Sequence, residues 1–297
     1  MELITGENDK GRRLDRILRK ALPGYPLPLI HRLLRQKRIL IDGVPGKAQT
    51  LVDCNVKISI PSLKDEPVKN NTDNSLKKSA SILDKKSILW ESCGLLAVNK
   101  PSGITVHGPH SLDSMVQVYL RNKLPPSLSF KPGPLHRLDK PSSGIVIFSV
   151  NLEGARLFSS LLHEQKVKKT YLAVVEGIVK KDEFWKDELL RDKEKKKTFI
   201  TNNDSCGKTA LTKIIPLSNK GNLTLIKAEI TTGRTHQIRA QAASHGFPLA
   251  GDIKYGGSKR KDGFFLHAWK LDFLDYSIEA PLPQVDHSLQ FMYLYLT

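Results

Sequence analysis

Residues 135–150 read Leu135-His-Arg-Leu-Asp-Lys-Pro-Ser-Ser-Gly-Ile-Val-Ile-Phe-Ser-Val150, a polar loop that runs directly into an apolar segment. The segment from Gly144 onward is rich in β-branched residues, which predicts a buried strand. Just before it stand His136, Arg137 and Asp139. This group fits either a turn in which Asp139 accepts backbone hydrogen bonds, or a catalytic loop. The spacing alone leaves both interpretations open.

Two further polar clusters lie at the ends of predicted elements. Lys168-Lys-Thr-Tyr171 stands at the head of an apolar run, and Gly233-Arg-Thr-His-Gln-Ile-Arg239 begins a helical pattern that ends at Gly246. Taken singly, the first cluster fits lysines that protect a sheet edge, and the second fits a basic surface helix. Three loops that each present unusual polar residues favour a shared cleft.

The pattern around these clusters is rich in strands and contains few helices. Strands are predicted at 94–98, 144–150, 171–175, 208–216, 223–231 and 264–273, and helices at 151–165 and 235–245. A doubly wound parallel sheet would need a helix at nearly every crossover. The prediction is therefore an α+β fold with a mixed, largely antiparallel central sheet and flanking helices, plus a small N-terminal α/β domain.

The first 61 residues are the most basic part of the chain for their length, with 12 lysines and arginines against 6 acidic residues. Apolar residues recur at helical spacing over 14–22, a second helix is predicted over 29–37, and strands are predicted at 38–43 and 56–60. Basic helices over a small sheet present several cations to phosphate oxygens, which positions RNA without reading its sequence. The residues predicted to contact RNA are Arg12, Arg13, Arg16, Arg32, Arg35, Lys37 and Arg38.

Residues 62–87 contain no aromatic residue and no regular apolar period, but they are rich in lysine, serine, asparagine and aspartate. This composition predicts a flexible linker. The predicted organisation is an RNA-binding domain at 1–61, a linker at 62–87 and a larger second domain at 88–297. Such a linker would let the two domains reach separate parts of one large RNA.

The whole chain carries 47 lysines and arginines against 30 acidic residues, a net charge of +17, which favours a polyanionic partner. Its three cysteines, Cys54, Cys93 and Cys206, are too far apart for a disulfide framework or a zinc knuckle. The sequence has no run of about 18 apolar residues and no signal-peptide pattern at its start. These features predict a cytoplasmic protein without a membrane segment.

Several motifs carry a resemblance to known families. RLDRIL at 13–18, LIHRLLRQKRILIDG at 29–43 and VKISIP at 56–61 are similar to the alpha-L RNA-binding module. HRLDKPSSGIVIF, KKTYLAVVEG, GKTALT, GRTHQIRAQAASHGFPLAGDIKYGG and FFLHAWKLDF occur in the order that is typical of RluA-type pseudouridine synthases. VNKPSGITVH also matches an early motif of that family, so the resemblance spans most of residues 88–297.

The resemblance implies an isomerase that converts specific uridines in RNA to pseudouridine. The N-glycosidic bond breaks, the uracil turns in place, and a carbon–carbon bond forms at ring carbon 5. This reaction needs no redox cofactor, nucleotide or metal, and the sequence shows no Walker loop, Rossmann glycine fingerprint or zinc spacing. The alpha-L module and the linker favour large-subunit ribosomal RNA as the partner, with transfer RNA as the alternative.

By resemblance, Asp139 is the carboxylate that acts on the sugar, either as a nucleophile or as a base. Arg234 is expected to hold it ionised, because a guanidinium keeps its charge and pairs with a carboxylate through two hydrogen bonds. Tyr171 is expected to stack on the uracil, and Arg137 to fill the space left by the flipped uridine. The further residues expected at the substrate are His136, His236, Arg239 and Leu266.

Two other classes of protein are compatible with a basic surface. A non-catalytic RNA-binding protein would not need Asp139, Tyr171 and Arg234 together. A metal-dependent nuclease would need several carboxylates that converge on an ion, and the sequence shows no such cluster. No metal or cofactor site is therefore predicted.

Overall fold

The structure is a computed structural model that describes residues 1–61, 83–201 and 207–284. Its N-terminal part contains two helices and six short strands. The helices are α1 (Leu14–Ala21) and α2 (Leu27–Arg35), and the strands are β1 (Glu2–Ile4), β2 (Arg12–Arg13), β3 (Leu40–Ile41), β4 (Val44–Pro45), β5 (Leu51–Val52) and β6 (Lys57–Ser59). One small sheet has the order β1-β6-β3-β4, and β2 pairs with β5.

The apolar spacing of α1 and α2 explains how this small unit packs. Leu14, Ile17 and Leu18 are fully buried, and they belong to one core with Ile30 and Leu33 of α2. Burying such a side chain is worth roughly 1.5–3 kcal/mol relative to leaving it exposed. Both helices lie within two residues of their predicted ends.

The second part of the chain is built around one sheet of 11 strands. These strands are β7 (Ile88–Ser92), β8 (Leu95–Lys100), β9 (Gly133–Pro134), β10 (Ser143–Ser149), β11 (Lys168–Glu176), β12 (Glu183–Asp192), β13 (Lys197–Thr201), β14 (Lys208–Lys220), β15 (Leu223–Ile230), β16 (Leu266–Phe273) and β17 (Tyr276–Glu279). The order is β13-β12-β14-β15-β11-β16-β10-β8-β7, with β17 on β16 and β9 on β10. Among the described strands only β10 and β16 pair in parallel. The predicted α+β fold with a largely antiparallel sheet is confirmed.

Among the described residues, three α-helices flank this sheet. They are α3 (Leu112–Leu120), α4 (Leu152–His163) and α5 (Gln237–Ser244). Asn151 caps α4 by accepting a hydrogen bond from the Gly154 amide at 2.8 Å. The sequence predicted α4 and α5 but did not predict α3, β12 or β13.

Neighbouring strands bring the sequence-predicted clusters together. Gly144 of β10 pairs with Ala268 of β16, and Ala268 also pairs with Tyr171 of β11. Gly144 has a φ of +107°, and a Cβ there would lie 2.2 Å from the carbonyl oxygen of Ala268, so only glycine fits. The loop that contains Asp139 therefore enters β10 at the same level of the sheet as Tyr171.

The N-terminal unit contacts the larger one through a buried carboxylate. Asp9 is fully buried, and its Oδ1 accepts hydrogen bonds from Ser127 Oγ at 2.8 Å and from the Ser129 amide at 3.0 Å. Its Oδ2 accepts from the amides of Leu128 at 2.9 Å and Gly6 at 3.0 Å. Burial acts to raise the pKa of Asp9, but these hydrogen bonds outweigh it and the pKa is lowered.

The two units thus have a direct contact in addition to the segment that connects them. Most of the predicted linker, residues 62–82, lies outside the described part of the chain, and Lys85–Ser87 form a short 3-10 helix before β7. Asn8 Oδ1 adds a hydrogen bond from the Leu152 amide at 2.9 Å. The N-terminal unit is thus seated directly on the larger one. No described helix is long and apolar enough to cross a membrane.

Candidate active site

The three polar clusters line one cavity of about 550 Å³. The loop at 135–142, the start of β11 and the segment at 230–239 form its walls. Asp139 is the only carboxylate among the described residues that line it. The cavity brings together all eight predicted catalytic and substrate residues: His136, Arg137, Asp139, Tyr171, Arg234, His236, Arg239 and Leu266.

Asp139 is held by an arginine, but not by the arginine that the sequence analysis chose. Nη1 of Arg239 donates to Oδ2 of Asp139 at 2.8 Å. The side chain of Arg239 is 7% exposed and that of Asp139 is 17% exposed. A charge-assisted hydrogen bond in such a poorly hydrated place stabilises negative charge on the carboxylate.

A second carboxylate fixes the orientation of Arg239. Its Nε donates to Oδ2 of Asp252 at 2.7 Å, and its Nη2 donates to Oδ1 at 2.8 Å. The guanidinium carbon also lies 4.5 Å from the ring centre of Phe264 and 5.0 Å from that of Tyr255. Because Asp252 binds Nε and Nη2, Nη1 is the nitrogen that reaches Asp139.

The expectation that Arg234 pairs with Asp139 is wrong. Nε of Arg234 donates to the Thr209 carbonyl at 3.1 Å, and its amide donates to Oε1 of Gln237 at 3.0 Å. Arg234 is exposed and precedes α5, whereas Arg239 lies in the first turn of α5 and is buried. Both arginines belong to one motif, so the choice depended on where the helix begins.

Tyr171 and Leu266 form an apolar part of the cavity wall. Each is 8% exposed. Burial raises the pKa of Tyr171, and the charge of Asp139 raises it further, so the phenol stays neutral. An aromatic face beside a leucine suits a planar, uncharged ring such as a nucleobase.

Two of the three histidines that line the cavity, His136 and His236, are neutral near neutral pH. Nε2 of His136 accepts a hydrogen bond from the Ile147 amide at 3.0 Å, and burial, with the charge of Lys169, lowers its pKa to about 3. Nε2 of His236 lies 3.6 Å from Oδ2 of Asp139, and burial lowers its pKa to about 4 although Asp139 acts to raise it. His136 therefore ties its loop to β10, and His236 is an uncharged neighbour of Asp139.

A buried lysine supports the loop that carries Asp139. Lys100 is fully buried, and its Nζ donates to the carbonyls of Ile104 at 2.8 Å, Pro101 at 3.0 Å and Lys140 at 3.2 Å. Burial lowers the pKa of Lys100 to about 8, while Asp139 acts to raise it. Because Lys140 follows Asp139, this ammonium group joins the turn after β8 to the catalytic loop.

Comparisons with known proteins identify the family of the chain. The family described as RNA pseudouridylate synthase matches residues 94–244. The chain belongs to the RNA pseudouridylate synthase family. It is 30% identical to the ribosomal large subunit pseudouridine synthase C of Pasteurella multocida, over 91% of this chain and 85% of that protein. The protein of the same description from Rickettsia bellii is 31% identical, over 95% and 98% of the two chains.

A solved structure supports the fold of this pseudouridine synthase. The structure titled Human RNA Pseudouridylate Synthase Domain Containing 4 covers 67% of this chain and 89% of its own, with a TM-score of 0.58 and 20% identity. The protein is thus an RNA pseudouridine synthase, an isomerase that acts on uridine in RNA.

The basic residues that were predicted to contact RNA differ in their surroundings. Five of them are exposed: Arg16, Arg32, Arg35, Lys37 and Arg38. Arg13 is instead bound by Asp15, with Nε–Oδ1 at 3.1 Å and Nη2–Oδ2 at 2.8 Å. Arg12 is half-buried near Asp9 and Arg156, and burial lowers its pKa.

A second cavity of about 600 Å³ lies in the N-terminal unit of the synthase. Two of the exposed cations, Arg35 and Lys37, line it together with His31 and Lys47. This basic surface suits phosphate oxygens.

Three residues of the synthase site were not among the predicted site residues. Lys100 belongs to the quoted VNKPSGITVH motif, Asp252 to GDIKYGG, and Lys169 stands two residues before Tyr171. Their motifs were visible, but the contacts of Lys100 and Asp252 depend on tertiary structure. Lys169 lines the cavity without a carboxylate partner among the described residues.

Proposed function

We propose that the protein converts a uridine of large-subunit ribosomal RNA to pseudouridine, with Asp139 as the group that acts on the ribose. The observation that supports this proposal most directly is the hydrogen bond from Arg239 to Asp139, at the wall of a cavity that Tyr171 and Leu266 also line. The choice of RNA is supported by relatives that are described as ribosomal large subunit synthases.

The chemistry requires one base to be released and reattached. The bond between N1 of uracil and C1′ of ribose breaks, a bond between C5 and C1′ forms, and the proton of C5 ends on N1, so the product is an isomer. Asp139 acts either by attack on C1′ or by removal of the proton on C2′. Both routes need a carboxylate that is ionised and held still, which is what the contact with Arg239 provides.

The other residues of the cavity have roles that follow from their surroundings. Tyr171 and Leu266 retain the freed uracil and exclude water from it. Arg137 is exposed at the cavity, where it can occupy the space that the flipped uridine leaves in its own stack. His236 lies within 3.6 Å of Asp139 and contacts the sugar or the base from the same side.

We also propose the domain organisation that the sequence predicted. Residues 1–61 bind RNA, residues 62–87 connect, and residues 88–297 carry the synthase site. The exposed cations of α2 and of the segment after it, Arg32, Arg35, Lys37 and Arg38, support this role for the first domain.

The test is to map pseudouridines in RNA from cells that lack the gene and from cells complemented with wild type or Asp139→Asn. We expect one or a few uridines of large-subunit ribosomal RNA to lose the modification, and to regain it only with wild type. Loss confined to transfer RNA would overturn the proposed substrate, and full rescue by Asp139→Asn would overturn the proposed role of Asp139.

A further inference from the structure

Lys169 is a buried cation in the wall of the synthase cavity. The residue is 8% exposed and lies on β11, two positions before Tyr171. Residues two apart on a strand point to the same face, and both of these line the cavity. Among the residues that the structure describes, no hydrogen bond or ion pair reaches Nζ of Lys169.

The groups around this ammonium do not neutralise it. A Cβ at Gly233 would lie 3.2 Å from Nζ of Lys169, so the glycine leaves room for the ammonium. Burial and the positive charge of Arg234 lower the pKa of Lys169. Asp139, the one carboxylate of the described lining, is already bound by Arg239. Lys169 and Arg234 thus form a pair of like charges.

The adjacent lysine shows the contrast. The side chain of Lys168 is 53% exposed, and its Nζ lies 3.2 Å from Oε2 of Glu229. It fits the surface lysine that protects a sheet edge. Lys169, in contrast, is 8% exposed, and its charge has no carboxylate partner among the described residues of the cavity wall, so the charge is available to a ligand that enters the cavity.

The chemistry of the substrate identifies the ligand class. RNA carries one negative charge per nucleotide, on a phosphodiester close to the ribose on which Asp139 acts. Positions two apart on a strand are separated by roughly 6–7 Å, which is comparable to the span between a nucleotide's base and its own phosphate. Arginine offers a planar fork to phosphate oxygens, and lysine offers a compact point charge.

We propose that Lys169, together with Arg234, binds a phosphodiester next to the target uridine and thereby positions its ribose against Asp139. The proposal rests on the proposed function, because it places the flipped uridine in this cavity. Nε of Arg234 is anchored on the Thr209 carbonyl, and this leaves the two terminal nitrogens of its guanidinium for the phosphate. Lys169 is thus a positioning residue for the reaction.

The test uses the full-length protein and a short RNA that contains the mapped uridine. Lys169→Met should lower kcat/KM by about 10- to 100-fold, as expected for a lost charge-assisted hydrogen bond. Lys169→Arg should restore part of this loss, and Lys168→Met, the matched control, should change kcat/KM by less than about 3-fold. The melting temperature of Lys169→Met should not fall, because methionine keeps most of the apolar stem and removes a poorly hydrated charge that no described carboxylate neutralises. A lower melting temperature with unchanged kcat/KM would show a merely structural lysine.

A second arm tests the phosphate itself. The phosphodiesters on the two sides of the uridine are replaced, one at a time, by a neutral methylphosphonate. At one of the two positions, the methylphosphonate should lower kcat/KM of the wild type about as much as Lys169→Met lowers it on unmodified RNA. The same replacement should not lower kcat/KM of the Lys169→Met variant any further. If the methylphosphonate at each position lowered kcat/KM equally in the wild type and in Lys169→Met, the proposal would be overturned. If the wild type makes no pseudouridine in this short RNA, a longer fragment with the mapped uridine replaces it. A wild type that modifies neither RNA overturns the proposed function, whereas an active wild type that is insensitive to both methylphosphonates overturns only the role of Lys169.

Discussion

Nη1 of Arg239 lies 2.8 Å from Oδ2 of Asp139, while Nε and Nη2 of the same guanidinium are bound by Asp252. One arginine therefore serves two carboxylates with different surroundings. Asp252 is 2% exposed and fixes the arginine, whereas Asp139 is 17% exposed and faces the cavity. The pair Arg239 and Asp252 acts as a fixed support that presents one donor to the catalytic carboxylate.

This relationship predicts different outcomes for the two arginines of the 233–239 motif. Arg239→Met should lower the free energy of unfolding by about 3–5 kcal/mol, because it leaves the buried Asp252 without its cation. It should also lower the single-turnover rate by at least about 100-fold, since Asp139 loses its partner. Arg234→Met should change the free energy of unfolding by no more than about 0.5 kcal/mol. Urea unfolding of both variants checks this, and equal destabilisation would contradict the assignment.

Asp139→Asn should fold and bind RNA but form no detectable pseudouridine. The amide oxygen can still accept the hydrogen bond from Arg239, so the shape of the site is kept while the nucleophilic or basic charge is lost. The measurement is single-turnover isomerisation beside equilibrium RNA binding and a thermal melt. Substantial product from this variant would show that another group carries the reaction.

The sequence predicted the central part of the fold because its signals there are strong. The β-branched run from Gly144 gives β10, and the spacing after Asn151 gives α4. β12 was missed because six of its ten residues are charged, and in both β12 and β13 an aromatic residue, Phe184 or Phe199, stays 65% or 43% exposed. Their apolar alternation is therefore weak, and their position in the sheet depends on tertiary pairing.

The site was predictable as a set of clusters but not as a set of contacts. All eight residues meet at one cavity, since their motifs occupy the ends of adjacent elements. The partner of Asp139 was misassigned because Arg234 and Arg239 are five positions apart in one motif, and only the start of α5 at Gln237 decides which is buried. The contact between Asp9 and residues 127–129 could not be predicted from local sequence, because it joins residues more than one hundred positions apart in the chain.

Acid should destabilise the protein through its buried histidines. Burial lowers the pKa of His136 to about 3, whereas an unfolded histidine titrates near 6.5. The unfolded state therefore binds more protons, and the free energy of unfolding falls as pH drops from about 6.5 toward 3. In His136→Gln, the decrease of the free energy of unfolding from pH 7 to pH 5 should be smaller than in the wild type by about 1–2 kcal/mol. Urea unfolding at both pH values measures the free energy of unfolding, and His107→Gln, at an exposed histidine, is the control. If the free energy of unfolding of His136→Gln fell between pH 7 and pH 5 as much as that of the wild type, the prediction would be contradicted.

The exposed cations of α2 should account for part of the salt dependence of RNA binding. Replacing Arg32 and Arg35 by glutamine should reduce the slope of log affinity against log salt by about 1.4–1.8, if each contacts one phosphate. Arg13→Gln is the control, because Asp15 already binds that guanidinium. Titrations at several salt concentrations give the slopes, and equal slopes for all three proteins would remove α2 from the RNA surface.

The contact between the N-terminal unit and the larger one should be separable from the folding of either. Gly6 has ordinary extended backbone angles, but a Cβ there would lie 2.2 Å from the carbonyl oxygen of Pro126. Gly6→Ala should therefore push the two units apart while it leaves the buried core of α1 and α2 intact.

Gly24→Ala is the matched control, because a Cβ at Gly24 meets nothing within 4 Å. We expect faster amide hydrogen exchange at Leu128 and Ser129 in Gly6→Ala only, since both amides donate to Asp9. If the seated unit positions RNA for the synthase site, kcat/KM on long ribosomal RNA should fall in Gly6→Ala more than on a short RNA. Unchanged exchange at both amides would show that the contact with Asp9 does not hold the two units together.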